Sequence, residues 1–388
     1  MSKSIQPQPK WVLPLISLVT FLGFLDSHLL LPIMALYASS LGAGAGVIGI
    51  IIGLYSITNT VANVVFGRLI DKIGYKFPLL AGLLGDAISM ALYTICRFPV
   101  CLAAVRSVHG ASGGMVGPAT MSAAANYSGR KKGRAMGVYG MSLAAATFVG
   151  FGVSGVLAAK FGYNAVFLFG AVLLLIGVVI SLPLPKTEKP MVEPSSDVDK
   201  MNLLKRRGLV IAYLGVFSQY FTLGGVVTLL PLYVAGLHME AFHVGMLLAT
   251  FSITSFIIQV PCGALSDRIG RVLLIAISLI LCMLSLVLIP LVAAFPLLAG
   301  AMVLYGIAHG ALFPSVSALI ADNTAPEERG IATGIFHALI TIGVALGAPV
   351  TGWIGEIVGT EGGLTSTAVV PIVVLVITVI AKRHTSVR

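Results

Sequence analysis

The stretch Gly67-Arg-Leu-Ile-Asp71-Lys72-Ile-Gly74-Tyr-Lys76 returns 196 residues later as Gly263-Ala-Leu-Ser-Asp267-Arg268-Ile-Gly270-Arg271. Each copy gathers charge into a short segment between two long apolar runs. A loop that recurs in this way marks a duplicated unit. Two further echoes agree. His109-Gly110 with Pro118 is matched by His309-Gly310 with Pro314, and Lys132-Gly-Arg-Ala-Met-Gly137 by Arg329-Gly-Ile-Ala-Thr-Gly334.

The runs around these loops are too apolar for water. Of 388 residues 57% are hydrophobic and 10% charged, against roughly 25% charged in soluble domains. Mean hydropathy is +1.02. Such a chain would expose more apolar surface than a soluble monomer tolerates, whereas a bilayer absorbs it as lipid contact. Runs long enough to cross a ~30 Å hydrocarbon layer lie near 11–38, 46–67, 77–96, 99–124, 135–158, 163–183, 208–235, 242–264, 272–291, 295–320, 330–354 and 363–381. The reading is an all-α membrane protein with twelve transmembrane helices. The run beginning at Trp11 is too long for a cleavable leader and reads as the first span.

Basic residues orient the chain. With the amino terminus in the cytoplasm, 21 of 24 Lys and Arg fall in cytoplasmic segments; Arg97 and Lys160 lie outside and Arg106 within a span. Both termini are then cytoplasmic. The net charge of +10 is thereby topological, scattered over short loops and not gathered on a nucleic-acid-binding face. The segment 184–207 is rich in proline and charge and reads as a linker. It separates a six-helix bundle at 1–183 from another at 208–388. The four cysteines, Cys96, Cys101, Cys262 and Cys282, lack metal or redox spacing and read as small core residues. Cys96 and Cys101 flank a short outside turn, which leaves a local disulfide as an alternative.

The loop from Gly67 to Lys76 resembles the G-x-L-x-D-[RK]-x-G-[RK]-[RK] signature of the major facilitator superfamily, departing at Tyr75. The resemblance extends over the whole chain through the span count, the linker and the half-repeat. It implies two pseudo-symmetric six-helix bundles, with the substrate site between them. Within the superfamily, Phe24-Leu-Asp26-Ser-His28-Leu-Leu-Leu-Pro32-Ile-Met-Ala-Leu-Tyr37 and Arg106-Ser-Val-His109-Gly110 resemble the twelve-helix drug:proton antiporter branch. The fifth span of that branch carries G-P-x-x-G-G. Here Gly150-Phe-Gly-Val-Ser-Gly155 has Phe151 in place of proline but keeps small residues for close helix contact. Gly347-Ala-Pro-Val-Thr-Gly352 supplies a similar run in the second half.

Ionisable groups at membrane depth are costly and so mark function or pairing. Asp26, midway along the first span, is the leading candidate for a proton-coupling carboxylate; the alternative is a structural bridge to Arg106. Asp86 in the third span is a second candidate, with a local structural role as the alternative because that helix is often peripheral in this fold. Arg106 and His109, three residues apart, share a helix face that the resemblance turns toward the central cavity. Arg106 serves to hold Asp26, to bind an anionic substrate or to brace the bundle, and His109 to relay a proton or to make a neutral helix contact.

The resemblance also makes the repeated loops a conformational gate comprising Gly67, Asp71, Lys72, Gly74 and Lys76, with Gly263, Asp267, Arg268, Gly270 and Arg271. Asp71 is expected to meet the start of the eleventh helix near Gly330. Cavity candidates are Tyr55, Asn59 and Asn63, stepping down the second span, with Tyr139, Gln219, Tyr220, Gln259, Tyr305 and Phe313; interhelical hydrogen bonding is the alternative for each.

These features point to a secondary transporter in the cell (inner) membrane, exporting hydrophobic or amphipathic molecules against protons by alternating access. Its partners would be a small-molecule substrate, protons and the lipid bilayer, and it would be monomeric. No nucleotide loop, metal cluster, cofactor site or catalytic constellation is evident, so an enzyme is not indicated. A sugar or metabolite carrier on the same fold, importing or exporting, and a non-transporting receptor or scaffold remain as alternatives.

Overall fold

A computed structural model describes residues 11–126, 132–185, 206–325 and 328–383. Every described element is helical: α1 Val12–Ser40, α2 Ala45–Ile73, α3 Lys76–Tyr93, α4 Pro99–Asn126, α5 Lys132–Phe161, α6 Tyr163–Ser181, α7 Arg207–Gly236, α8 Ala241–Ile269, α9 Arg271–Leu288, α10 Phe295–Asp322, α11 Arg329–Ser366 and α12 Val369–Arg383. A 3-10 turn, Ile289–Leu291, follows α9. The chain is a multi-pass protein of the cell membrane. Ten stretches among the described residues are long and apolar enough to cross it, and α4, interrupted by Arg106 and His109, is not one of them.

Runs near 330–354 and 363–381 imply a loop between two helices. The chain breaks between them at Gly359, where φ is 83° and ψ 162°, so that one helix ends before it and a second begins after it. A glycine accepts that left-handed φ without a Cβ clash, so one residue turns the axis where a loop was expected.

The outer surface is apolar, as lipid contact demands: Val260 is 82% exposed, Ile357 80% and Val100 75%. Inside, small residues set the helix spacing. A Cβ on Gly110 would strike Thr58 and Tyr55, and one on Gly114 would lie 2.6 Å from Asn59 O. In the second half, a Cβ on Gly306 would lie 2.7 Å from Phe251 O, and Gly310 abuts Ser255 O. Every one of these pairs is related by the 196-residue offset. The same offset relates the loop glycines Gly74 and Gly270, at φ 83° and 97°, and also Pro118 and Pro314. It does not relate His109 to His309. The His-Gly echo seen in sequence is one helical turn out of register: His109 corresponds to Tyr305, and His309 to Gly113.

The four cysteines are free thiols. One hydrophobic core cluster runs through residues 12–184 with Val227 and Ala348; two others lie mainly in 209–374, one of them including Phe151.

The two ends of the bundle differ. At the end away from the termini, α2 and α11 touch backbone to backbone: Gly49 meets Ala348 O, Gly352 meets Ala45 O, and a Cβ on Gly53 would lie 2.8 Å from Ala345 O. There α5 and α8 close in the same way, with Gly155 and Gly245 packed face to face. The Glu356 carboxylate adds a polar latch, accepting a hydrogen bond from Gly46 N at 2.8 Å in the first turn of α2. Toward the termini, nothing lies within 4 Å of where a Cβ would stand on Gly67, Gly137, Gly140 or Gly334. The bundle is shut at the far end and, among the described residues, leaves open space around these glycines at the end that carries the termini.

Candidate functional site

Three helices bring three ionisable side chains together inside the first half. Asp26 lies at mid-length on α1, Asp86 on α3 and His109 on α4, and all are buried. The separation of α3 from α4 is small because a Cβ on Gly85 would lie 2.7 Å from Ser112 Cβ and one on Gly82 2.9 Å from Ser112 O. That approach lets Ser112 Oγ donate to Asp86 Oδ1 at 2.5 Å.

His109 is the centre of the cluster. Its Nε2 lies 2.8 Å from Asp26 Oδ2 and 3.8 Å from Asp86 Oδ1, and its Nδ1 lies 3.0 Å from Tyr93 Oη. Both contacts are satisfied when Nε2–H donates to Asp26 and Nδ1 accepts from the tyrosine. Asp86 Oδ2 has no partner. Ligand atoms of Asp26, Asp86 and His109 fall within 4.8 Å of one another.

Arg106 is 1% exposed, with its guanidinium carbon 4.4 Å from the centroid of the Tyr55 ring. Its Nε and Nη1 have no hydrogen-bond partner. The structure therefore gives Asp26 a histidine, not Arg106, as its partner. Asp86 lies beside the same histidine and is hydrogen-bonded by Ser112.

The 196-residue offset sharpens the picture. Asp26, Asp86, His109 and Tyr55 correspond to Thr222, Cys282, Tyr305 and Phe251. These pack in the same way: Thr222 Oγ1 lies 3.0 Å from Tyr305 Oη and 3.7 Å from Cys282 Sγ. The ring pairs Tyr55–His109 and Phe251–Tyr305 have centroids 5.2 and 5.1 Å apart. One fold position thus holds an ionisable cluster in the first half and a neutral one in the second.

A cavity of about 580 Å³ lies between the halves, walled by α1, α5, α7, α8 and α10. Of the cavity candidates, Tyr220, Gln259 and Phe313 line it. Tyr55 packs on Arg106 and His109, and Tyr305 on Thr222. Asn59 lies along α4 near Gly113 and Gly114, and Asn63 near Gly117. Tyr139 packs against the first core cluster, and Gln219 Nε2 donates to His309 O at 2.7 Å. His28, Thr147, Phe251 and His309 also line the cavity. His28 and His309 each carry a local signal, a polar ring in an apolar span, but neither is among the cavity candidates read from sequence.

The gate loops are tied mainly to their own halves. Lys76 Nζ donates to Leu182 O at 2.7 Å and Leu184 O at 2.6 Å, the carbonyls at the end of α6. Tyr75, the departure from the signature, donates to Pro185 O at 2.6 Å. Arg271 pairs with Asp267 and reaches Asp322 at 3.3 Å. Lys72 and Arg268 are exposed, and Gly263 makes ordinary contact with Pro314. The Asp71 side chain lies outside the described residues, and so does its expected meeting with the start of α11.

The sequence pattern of the Major Facilitator Superfamily matches residues 16–243 and again 212–387. The chain belongs to that superfamily. It is a secondary transporter, with a small-molecule substrate and the bilayer as its surroundings. A transporter of the major facilitator type from Methanocaldococcus jannaschii is 25% identical over 368 residues, 93% of this chain and 95% of the relative. The staphyloferrin B transporter of Staphylococcus aureus is 24% identical over 349 residues, 84% and 82% of the two chains. The quinolone resistance protein NorA of Staphylococcus aureus is 30% identical over 149 residues, 38% of each. Among solved structures, a bacterial homolog of the human lysosomal transporter Spinster superposes with a TM-score of 0.81 at 13% identity, covering 98% of both chains. The nucleoside transporter NupG gives 0.77 at 16% identity, covering 95% and 98%. At those identities the structures share a fold with this facilitator.

Proposed function

We propose that this facilitator is a proton-coupled exporter of hydrophobic or amphipathic small molecules, working as a monomer by alternating access of the bundles 1–183 and 208–388. The observation that carries the reading is the His109-centred cluster. Two buried carboxylates face one imidazole, Asp26 at 2.8 Å and Asp86 at 3.8 Å. Gain or loss of a proton changes the buried charge by one in a region where an unpaired charge is expensive. That free energy is available to bias one packing of α1, α3 and α4 over another. Asp26 takes the proton, His109 relays it, and Asp86 with Arg106 sets the charge around them. The neutral Thr222–Cys282–Tyr305 counterpart supports a single coupling site per chain.

The cluster does not line the central cavity, so coupling acts through α1, which carries Asp26 inward and His28 at the cavity wall. The positive-inside bias places the termini in the cytoplasm, and the end with open space is then cytoplasmic: the state is inward-open, ready to load from that side. The partial likeness to NorA supports drug efflux, and the likeness to the staphyloferrin B transporter supports a sugar or metabolite carrier, exporting or importing, as the second reading. The test is a panel of lipophilic cations, neutral drugs and sugars presented to proteoliposomes under a pH gradient. Proton movement evoked by amphipathic compounds supports the reading; transport without proton movement removes it.

A further inference from the structure

Where α3 gives way to α4, at the end of the bundle away from the termini, two cysteines come together. Cys96 stands in the connection after α3 and is 1% exposed. Cys101 lies in the first turn of α4 and is half-buried. Their thiols are within hydrogen-bonding reach of each other. The residues between them turn outward, with Phe98 and Val100 57% and 75% exposed. From α1, the Tyr37 hydroxyl donates to the carbonyls of Tyr93 at 2.8 Å and Cys96 at 3.1 Å, which holds the backbone that carries Cys96.

The 196-residue offset shows what this junction needs for packing. Tyr37 corresponds to Tyr233, whose hydroxyl donates in the same way to the carbonyls of Pro290 at 3.2 Å and Val292 at 3.0 Å. Cys96 and Cys101 correspond to Val292 and Leu297. The second half thus builds the same tyrosine clamp with aliphatic side chains, and the fold does not require thiols there. What two thiols in contact add is the chemistry of a dithiol.

We propose that Cys96 and Cys101 form a redox-responsive pair, which a small disulfide outside the membrane closes into a bridge that clips the end of α3 to the first turn of α4. The positive-inside bias places this connection on the outer side, where oxidising conditions let disulfides persist. The Cys101 thiolate, the more exposed of the two, attacks one sulfur of the small disulfide and expels the other as a thiolate. Cys96 then attacks Cys101 Sγ in the mixed disulfide, and the second small thiolate leaves. The two cysteine protons end on the two released thiols, so the pair is oxidised by two electrons and the small disulfide is reduced by two. The bridge joins the helices that carry Tyr93 and His109, whose side chains meet at 3.0 Å. Its formation needs no transport, so the pair stands apart from the exporter reading.

The test treats right-side-out membrane vesicles holding the full chain with oxidised glutathione, which does not cross the bilayer. The protein is then denatured in N-ethylmaleimide and its cysteines are mapped by mass spectrometry. The expected result is a peptide spanning Cys96 and Cys101 that is unalkylated and lighter by two hydrogens, while Cys262 and Cys282 are alkylated. Dithiothreitol is expected to restore alkylation of the pair. Oxidised native protein is expected to melt a few degrees above the reduced form, because a cross-link restricts the unfolded chain. The double variant Cys96→Val with Cys101→Leu, which places there the residues of the second half, is expected to melt alike with and without oxidant. Alkylation of both Cys96 and Cys101 after the oxidant would overturn the proposal, and so would glutathione retained on Cys101 as a stable mixed disulfide. The alkylation readout uses the native protein and decides the matter even where the double variant fails to fold.

Discussion

His109 Nε2 lies 2.8 Å from Asp26 Oδ2, whereas Tyr305, the residue 196 positions on, lies 3.0 Å from Thr222 Oγ1. The same packing carries titratable groups in one half and hydroxyls in the other. His109→Gln is therefore expected to cut proton-linked transport by roughly tenfold or more, a loss of ~1.4 kcal/mol in the coupled step. Thr222→Ala is expected to stay within about twofold in transport, costing about 1 kcal/mol of stability for one hydrogen bond. Parallel transport and thermal unfolding measurements on the two variants check the asymmetry; equal losses of transport would remove it.

The repeated loop makes a conformational prediction. Gly74 stands at φ 83°, so a substitution there is strained by backbone conformation. Gly74→Ala is expected to destabilise by ~1–2 kcal/mol. Gly67 is helical and has open space around it, so Gly67→Ala is expected to leave stability unchanged or raise it by up to ~1 kcal/mol. Unfolding midpoints in detergent distinguish the two.

The long apolar spans and the repeated loop are legible in the sequence because lipid enforces long apolar runs and charge concentrates between them; the linker read at 184–207 lies mostly outside the described residues. The ionisable members of the cluster are legible for the same reason: Asp26, Asp86 and His109 stand out in apolar helices. Their pairing is not. It depends on how closely α3 approaches α4 at Gly82 and Gly85, a distance that composition does not encode. The cavity wall is harder still, because lipid-facing and cavity-facing residues are both apolar. Met141 and Phe256 line it, whereas the more polar Tyr55, Asn59 and Asn63 serve the contact with α4. The His109/His309 echo misled by one turn, since glycine spacing of four along α4 and α10 fits two registers equally well.

At the shut end, a side chain on Gly49 would meet Ala348 O and Pro349. Gly49→Leu is expected to wedge α2 from α11 there and shift the population toward the state open at that end. Spin labels at Ala43 and Val358 read the change as a longer distance by double electron–electron resonance. An unchanged distribution would mean that this contact does not hold the end closed.

Near the termini, Arg206 Nη1 and Nη2 each donate to Glu328 at 2.6 Å, and Glu328 also accepts from Ala325 N at 2.9 Å. The Arg206 hydrogen bonds, followed by that backbone bond, hold the Glu328 carboxyl below its ordinary range. A depressed carboxyl stabilises the fold above its unfolded value, ~4.3, and that contribution disappears as pH falls through the lower folded value. Native protein is therefore expected to exceed Glu328→Gln in melting temperature near neutrality, and the two curves to converge below about pH 4. A constant gap down to that pH would contradict the linkage.

The central claim is that Asp26 carries the coupled proton. Its most direct test is substrate-evoked proton movement across proteoliposomes, read with an internal pH dye for native protein and Asp26→Asn at equal folded amounts. The account predicts a proton flux with the native chain and none with the variant, while substrate binding persists. Equal proton flux from both would contradict it and return Asp26 and its histidine to a structural bridge.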